Sequence, residues 1–114
     1  MANTFKKNTK SSLLTADVTS SATTNIVTAG GTATLVLLSV LIANKTGSSA
    51  NANVYMVPAT SDSIFLLKNG PVPAGTSLEL IQGNKYIMNS SDVLRASSDT
   101  GSALDIIVSY LEQT

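Results

Sequence analysis

Seven carboxylates, seven cationic side chains and three tyrosines are all the titratable side chains this 114-residue chain carries, because it contains neither histidine nor cysteine. Thiolate nucleophiles, disulfides, cysteine–histidine zinc sites and imidazole general bases are excluded by that fact alone. The carboxylates are Asp17, Asp62, Glu79, Asp92, Asp99, Asp105 and Glu112. Asp62, Asp92 and Asp99 fall in turn-forming stretches, where aspartate is favoured for backbone reasons. No D-x-D-x-D-G spacing exists, so a calcium loop is not expected. A catalytic carboxylate pair needs a cleft, which short turns do not build. The many serine and threonine hydroxyls lack a base to activate them, and no Ser–Lys signature is present. Gly30-Gly31 and Gly75 read as turn glycines, since no helix N-terminus follows them to hold a phosphate. Neither an enzyme nor a cofactor or metal protein is expected.

Two other groups could do recognition chemistry. Arg95, the only arginine, lies mid-strand in VLRAS with Asp92 and Asp99 in the flanking turns and Asp105 on the next strand. It reads either as an intramolecular ion pair or as a hydrogen-bonding fork at an interface. Lys6, Lys7 and Lys10 make the amino-terminal segment locally basic around Phe5. That segment reads as a solvated arm, or as one lying on an acidic neighbouring surface. Tyr55, Tyr86 and Tyr110 are expected in the core. Asn44-Lys45-Thr46 and Asn89-Ser90-Ser91 match a glycosylation sequon, but MANTFKKNTKSSLL has no apolar stretch behind its lysines and does not read as a signal peptide.

Whole-chain numbers narrow the partners. Formal net charge is zero and charged residues make up 12%, about half the usual share of roughly 25%. Seven cations do not supply a phosphate-tracking surface, so nucleic acid is not an expected partner. Aromatic residues are 4%, with no tryptophan, which leaves little for stacking bases or sugars. A 43% hydrophobic content with so little charge suits a subunit packed against neighbours.

The elements positioning these residues are strands. Residues 1–20 read as an extended arm or edge strand, with residues 21–114 forming one sandwich domain. Runs rich in β-branched and apolar residues follow: Thr23–Thr28, Ala33–Asn44, Ala52–Val57, Ser63–Lys68, Thr76–Ile81, Lys85–Met88, Val93–Ser97 and Ala103–Leu111. Turn chemistry separates them, with Pro58 closing the third and Asn69-Gly70-Pro71 closing the fourth. Eight strands at this spacing, without helical windows, predict an all-β fold: an antiparallel two-sheet β-sandwich of jelly-roll or other Greek-key type. On the last strand, Leu104, Ile106, Val108 and Tyr110 share a face.

The longest apolar run, ATLVLLSVLIA at Ala33–Ala43, does not alternate, and it is too short for a membrane helix of about 20 residues. A strand apolar on both faces must be covered on both. The Val36, Leu38, Val40 and Ile42 face is assigned to the core. The face of Leu35, Leu37, Ser39 and Leu41 is assigned to a subunit contact, an assignment that one residue of register inverts.

The strings LIANKTGS (Leu41–Ser48), KNGPVPAGTSL (Lys68–Leu78) and GNKYIMNSSDVLRASSDT (Gly83–Thr100), with the opening MANTFK, resemble small virion structural proteins of tailed bacteriophages, especially those of cyanophages and other marine phages. The resemblance spans nearly the whole chain. It implies a non-enzymatic particle component: a capsid decoration or cement protein that oligomerises, as a homotrimer, and attaches to the major capsid protein or other virion proteins. It would be assembled in the host cytoplasm and resident in the virion, without membrane or nucleic-acid partners. A neck, tail or baseplate accessory is the alternative, and a glycan-binding receptor module is another. The residues expected at interfaces are Phe5, Lys6, Lys7, Lys10, Leu35, Leu37, Leu41 and Arg95.

Overall fold

The computed structural model describes residues 3–11, 25–58, 64–83, 85–100 and 103–114. Among them the chain forms nine strands: β1 (Asn3–Lys10), β2 (Asn25–Thr28), β3 (Thr34–Asn44), β4 (Ala50–Val57), β5 (Ile64–Val72), β6 (Ser77–Glu79), β7 (Tyr86–Met88), β8 (Val93–Ser98) and β9 (Leu104–Gln113). The fold is all-β. Two antiparallel sheets pack together, one in the order β1-β9-β3 with β6 and β7 both along the far side of β3, the other in the order β2-β8-β4-β5. We call them the first and second sheets. β6 and β7 act as one interrupted edge strand: β6 pairs with Leu41–Ala43 and β7 with Leu35–Leu37.

Alternation on β9 gives the cleanest match between pattern and packing. Leu104, Ile106, Val108 and Tyr110 are buried, while Ile107 faces out, as period-2 geometry requires. They meet Leu94 and Ala96 of β8 and Val54 of β4 in the core between the sheets. Residues 3–10, read as an arm or an edge strand, are β1 at the edge of the first sheet, in register with β9 from Asn3↔Gln113 to Lys10↔Ile106. Expectations that fall on residues 12–24 and 59–63, including Asp17 and Asp62, lie outside the described residues.

Two side chains tie the sheets together at their margins. Asn8 of β1 donates its amide to Ile26 O of β2 at 3.0 Å. Asn44, at the end of β3, is buried and donates to Ser48 O at 2.8 Å and to Val72 O of β5 at 2.9 Å. Its Oδ1 accepts from the amide and hydroxyl of Thr46. Every polar position of the amide is therefore used, which is how a buried carboxamide is accommodated. The first sequon asparagine is a structural corner.

The face assignment of the apolar run is corrected. β3 carries a β-bulge: Leu37 pairs with Tyr110 and Ser39 with Ser109, so Leu38 is the extra residue. An inserted residue shifts the phase of every side chain beyond it. Leu35, Leu37, Val40, Ile42 and Asn44 are therefore all buried, while Val36, Leu38, Ser39, Leu41 and Ala43 are only half-buried. Leu35 and Leu37, expected at a subunit contact, are core residues at 1% and 0% exposure. Neither regular alternation of the run was correct along its whole length.

The fourth run is also corrected. β5 does not stop before Asn69-Gly70-Pro71 but continues to Val72, with register shifts against β4 on the way. Asn69 adopts a left-handed φ of 52° and its amide donates to Asn53 Oδ1 at 2.8 Å. Pro71 is tolerated because β5 is an edge strand.

Candidate functional site

The register of the first sheet builds one surface feature from four strands. Phe5 of β1 lies opposite Leu111 of β9, Leu111 opposite Val36 of β3, and Val36 opposite Ile87 of β7. Directly opposed residues share a sheet face with Cβ atoms about 4.5–5.5 Å apart. The row is therefore a continuous apolar band across the outward face. Phe5 is 76% exposed and Ile87 51%, and the half-buried Leu111 and Val36 lie between them. A second row, Thr9–Ile107–Leu41–Glu79, crosses the same face two pleats away, with Ile107 at 43% exposure. Two open hollows follow the β1–β9 seam. One, of about 390 Å³, is lined by Phe5, Lys6, Lys7, Leu38, Ser109 and Tyr110. The other, of about 230 Å³, is lined by residues that include Thr9, Asp105 and Ile107.

The bulge that turns Leu38 towards this face is held by Glu79. Its carboxylate accepts from the Ser39 hydroxyl, from the Val40 amide at 2.9 Å and from the Ile81 amide at 3.0 Å. Burial on its own would push this carboxyl up. The donations from Ser39, Ile81 and Val40 together outweigh burial and hold it below the usual carboxylate value. Glu79 is thus a half-buried anion with a structural task. This segment alternates, with Leu78 and Leu80 packed on the core and Glu79 turned away from it.

The cations divide into committed and free. Lys6 Nζ lies 2.8 Å from Glu112 Oε1, which raises the lysine above its ordinary value, and Lys45 Nζ lies 2.8 Å from Asp105 Oδ1. Lys6 pairs in register with the core residue Tyr110, whereas Lys7 pairs with Ser109 on the outward face. Among the described residues, Lys7, Lys10 and Lys85 have no carboxylate partner.

On the opposite side of the molecule, the register places Asn25, Arg95, Tyr55 and Phe65 in a row across β2, β8, β4 and β5. Arg95 Nε donates to Asn25 Oδ1 at 2.7 Å, so the arginine has a partner within the chain. The Tyr55 and Phe65 rings are 5.4 Å apart at 43°, and Lys68 Nζ stands 5.4 Å from the Phe65 centroid. Tyr110 is a core residue and Tyr86 packs against the core, but Tyr55 is fully buried on the Arg95 side of its sheet.

The structure therefore separates the eight residues singled out in the sequence. Phe5, Lys7 and Leu41 share the outward face of the first sheet, and Lys6 and Lys10 lie along its β1 edge. Leu35 and Leu37 are interior, and Arg95 is on the other sheet. Sequence reasoning missed Val36, Ile87, Ile107 and Leu111. The available signal was that Ile107 and Leu111 alternate with the buried residues of β9. No group of three or more carboxylates able to hold a metal ion comes together among the described residues, and no helix there is long and apolar enough to cross a membrane. Comparison with family models, with curated proteins and with solved structures finds no match.

Proposed function

We propose that this protein is a non-enzymatic structural component of a tailed-phage virion, a capsid decoration protein that oligomerises and attaches to the particle surface. The observation that carries the reading is the four-strand apolar row Phe5–Leu111–Val36–Ile87 on an outward sheet face. Water-exposed apolar bands of this continuity mark surfaces meant to be covered. The resemblance of LIANKTGS, KNGPVPAGTSL and GNKYIMNSSDVLRASSDT to virion proteins supplies the setting. The jelly-roll form of the reading is supported by the strand order. With β6 and β7 counted as one interrupted strand, each sheet has four strands and the chain crosses repeatedly between sheets.

The N-terminal segment takes part as a sheet edge. Deleting it would leave β9 paired on one side only, so point substitutions on the outward face are the better probe. Co-expression with the major capsid protein, followed by sedimentation of particles, tests the reading. The chain is expected on the particles, and Phe5→Ser with Ile87→Ser is expected to remain folded but stay in the supernatant. A wild-type chain that never co-sediments overturns the proposal.

A further inference from the structure

We infer that the outward face of the first sheet docks onto an acidic protein surface, one that presents carboxylates on both sides of an apolar centre. The inference rests on the reading of the chain as a particle component and names the chemistry of the partner. The apolar row is flanked on both edges by cations that have no carboxylate partner among the described residues. Lys7 lies on β1, two residues beyond Phe5, and Lys85 lies just before β7, two residues ahead of Ile87. Both are exposed, and neither has a carboxylate partner among the described residues. β1 and β7 are separated by β9 and β3, so the two edges stand about 14 Å apart, three strand spacings. The carboxylates on this face are already engaged: Asp105 with Lys45, and Glu79 with three donors from its own chain. An apolar centre with a charged rim is the usual anatomy of a protein-binding surface. The three donors to Glu79 are neutral and leave its charge in place, and among the described residues Lys7 and Lys85 outweigh it, so the rim is positive on balance.

That sign chooses between occupants. A second copy using the same face brings a positive rim against a positive rim, an arrangement that like-charge repulsion opposes. A nucleic-acid backbone needs a longer run of cations and has no use for Phe5, Leu111, Val36 and Ile87 at the centre. An acidic protein surface satisfies both features. Its apolar side chain enters the hollow between Phe5 and Leu38, and its carboxylates meet Lys7 and Lys85.

The test titrates the ¹⁵N-labelled full chain with a seven-residue peptide, acetylated and amidated, that has glutamates at both ends and leucines in the middle. Shifts are expected at Phe5, Lys7, Leu38, Ser109, Leu111 and Ile87. Affinity should fall about tenfold from 50 to 500 mM salt. Lys7→Glu with Lys85→Glu should weaken binding at least about tenfold at unchanged Tm, while Lys68→Glu on the other sheet should not alter it. The inference is overturned if the peptide shifts nothing at 1 mM. It is also overturned if a lysine-ended peptide or a 12-base-pair DNA duplex binds as well, or if the same residues shift with protein concentration alone, which would assign the face to a second copy. Particle sedimentation separates this from the functional reading. A wild-type chain that binds the peptide but never joins particles removes the function and leaves the docking chemistry. A double variant that joins particles like wild type removes the docking chemistry and leaves the function.

Discussion

The amide of Val40 donates to Glu79 Oε2 at 2.9 Å, joining the middle of the longest strand to the edge strand beside it. The contact lies just past the bulge at Leu38, where the β3 ladder loses its regular pairing. Backbone donors in such places need another acceptor. Glu79 supplies one for Val40, accepts from Ser39 as well, and through Ile81 holds the start of the segment between β6 and β7.

Because hydrogen bonds hold the Glu79 carboxyl below its usual value, its contribution to stability is present above the ordinary carboxylate range. It is lost as pH falls through the lowered folded-state value. Glu79→Gln should cost about 1–3 kcal/mol at neutral pH. It should also flatten the acid limb of stability against pH, measured by urea melts from pH 7 down to pH 3. An unchanged acid limb in the variant would remove this role.

Leu37 and Leu41 are both leucines of the same apolar run, yet the bulge sends them to opposite faces. Leu37→Ala should destabilise by about 2–5 kcal/mol, the range for a fully buried leucine. Leu41→Ala, on a half-exposed face, should cost less than about 1.5 kcal/mol. Equal losses in chemical denaturation would contradict the placement of the bulge.

Asn44→Asp keeps the shape of the corner but replaces an amide that donates to two carbonyls with a group that repels them. Loss of about 2–4 kcal/mol is expected, since two acceptors lose their partner and a charge is buried. A Tm within a degree of wild type would show that the corner is not needed.

Gly70 is buried on β5, and a Cβ there would stand 2.6 Å from Leu67 Cγ. Gly70→Ala should destabilise by about 1–3 kcal/mol through overpacking. Pairing it with Leu67→Ala should restore part of the loss, because the clash is with that side chain. Additive losses in a double-mutant cycle would place the strain elsewhere.

Much of the architecture was readable from local patterns. The alternation in LDIIVSYL sorted the two faces of β9, and Pro58 marked the end of β4. The interface residues were less legible. Phe5 and Leu41 were singled out for being apolar in suspect places, but nothing local says that Phe5, Leu111, Val36 and Ile87 stand in one row. Those residues are brought side by side by long-range pairing, and pairing register is a property of two strands at once.

By itself, the amino-acid sequence determined an all-β chain without histidine or cysteine chemistry, and a central run apolar on both faces. Composition, period-2 patterning and turn residues are local quantities, and local quantities suffice for that. Only the tertiary structure decided which side of the run is interior. One extra residue at Leu38, held in place by the Glu79 carboxylate arriving from forty positions away, shifts the phase so that Leu35 and Leu37 point inward together with Val40 and Ile42. A bulge is defined by the strand it fails to match, so no reading of β3 alone could have placed it.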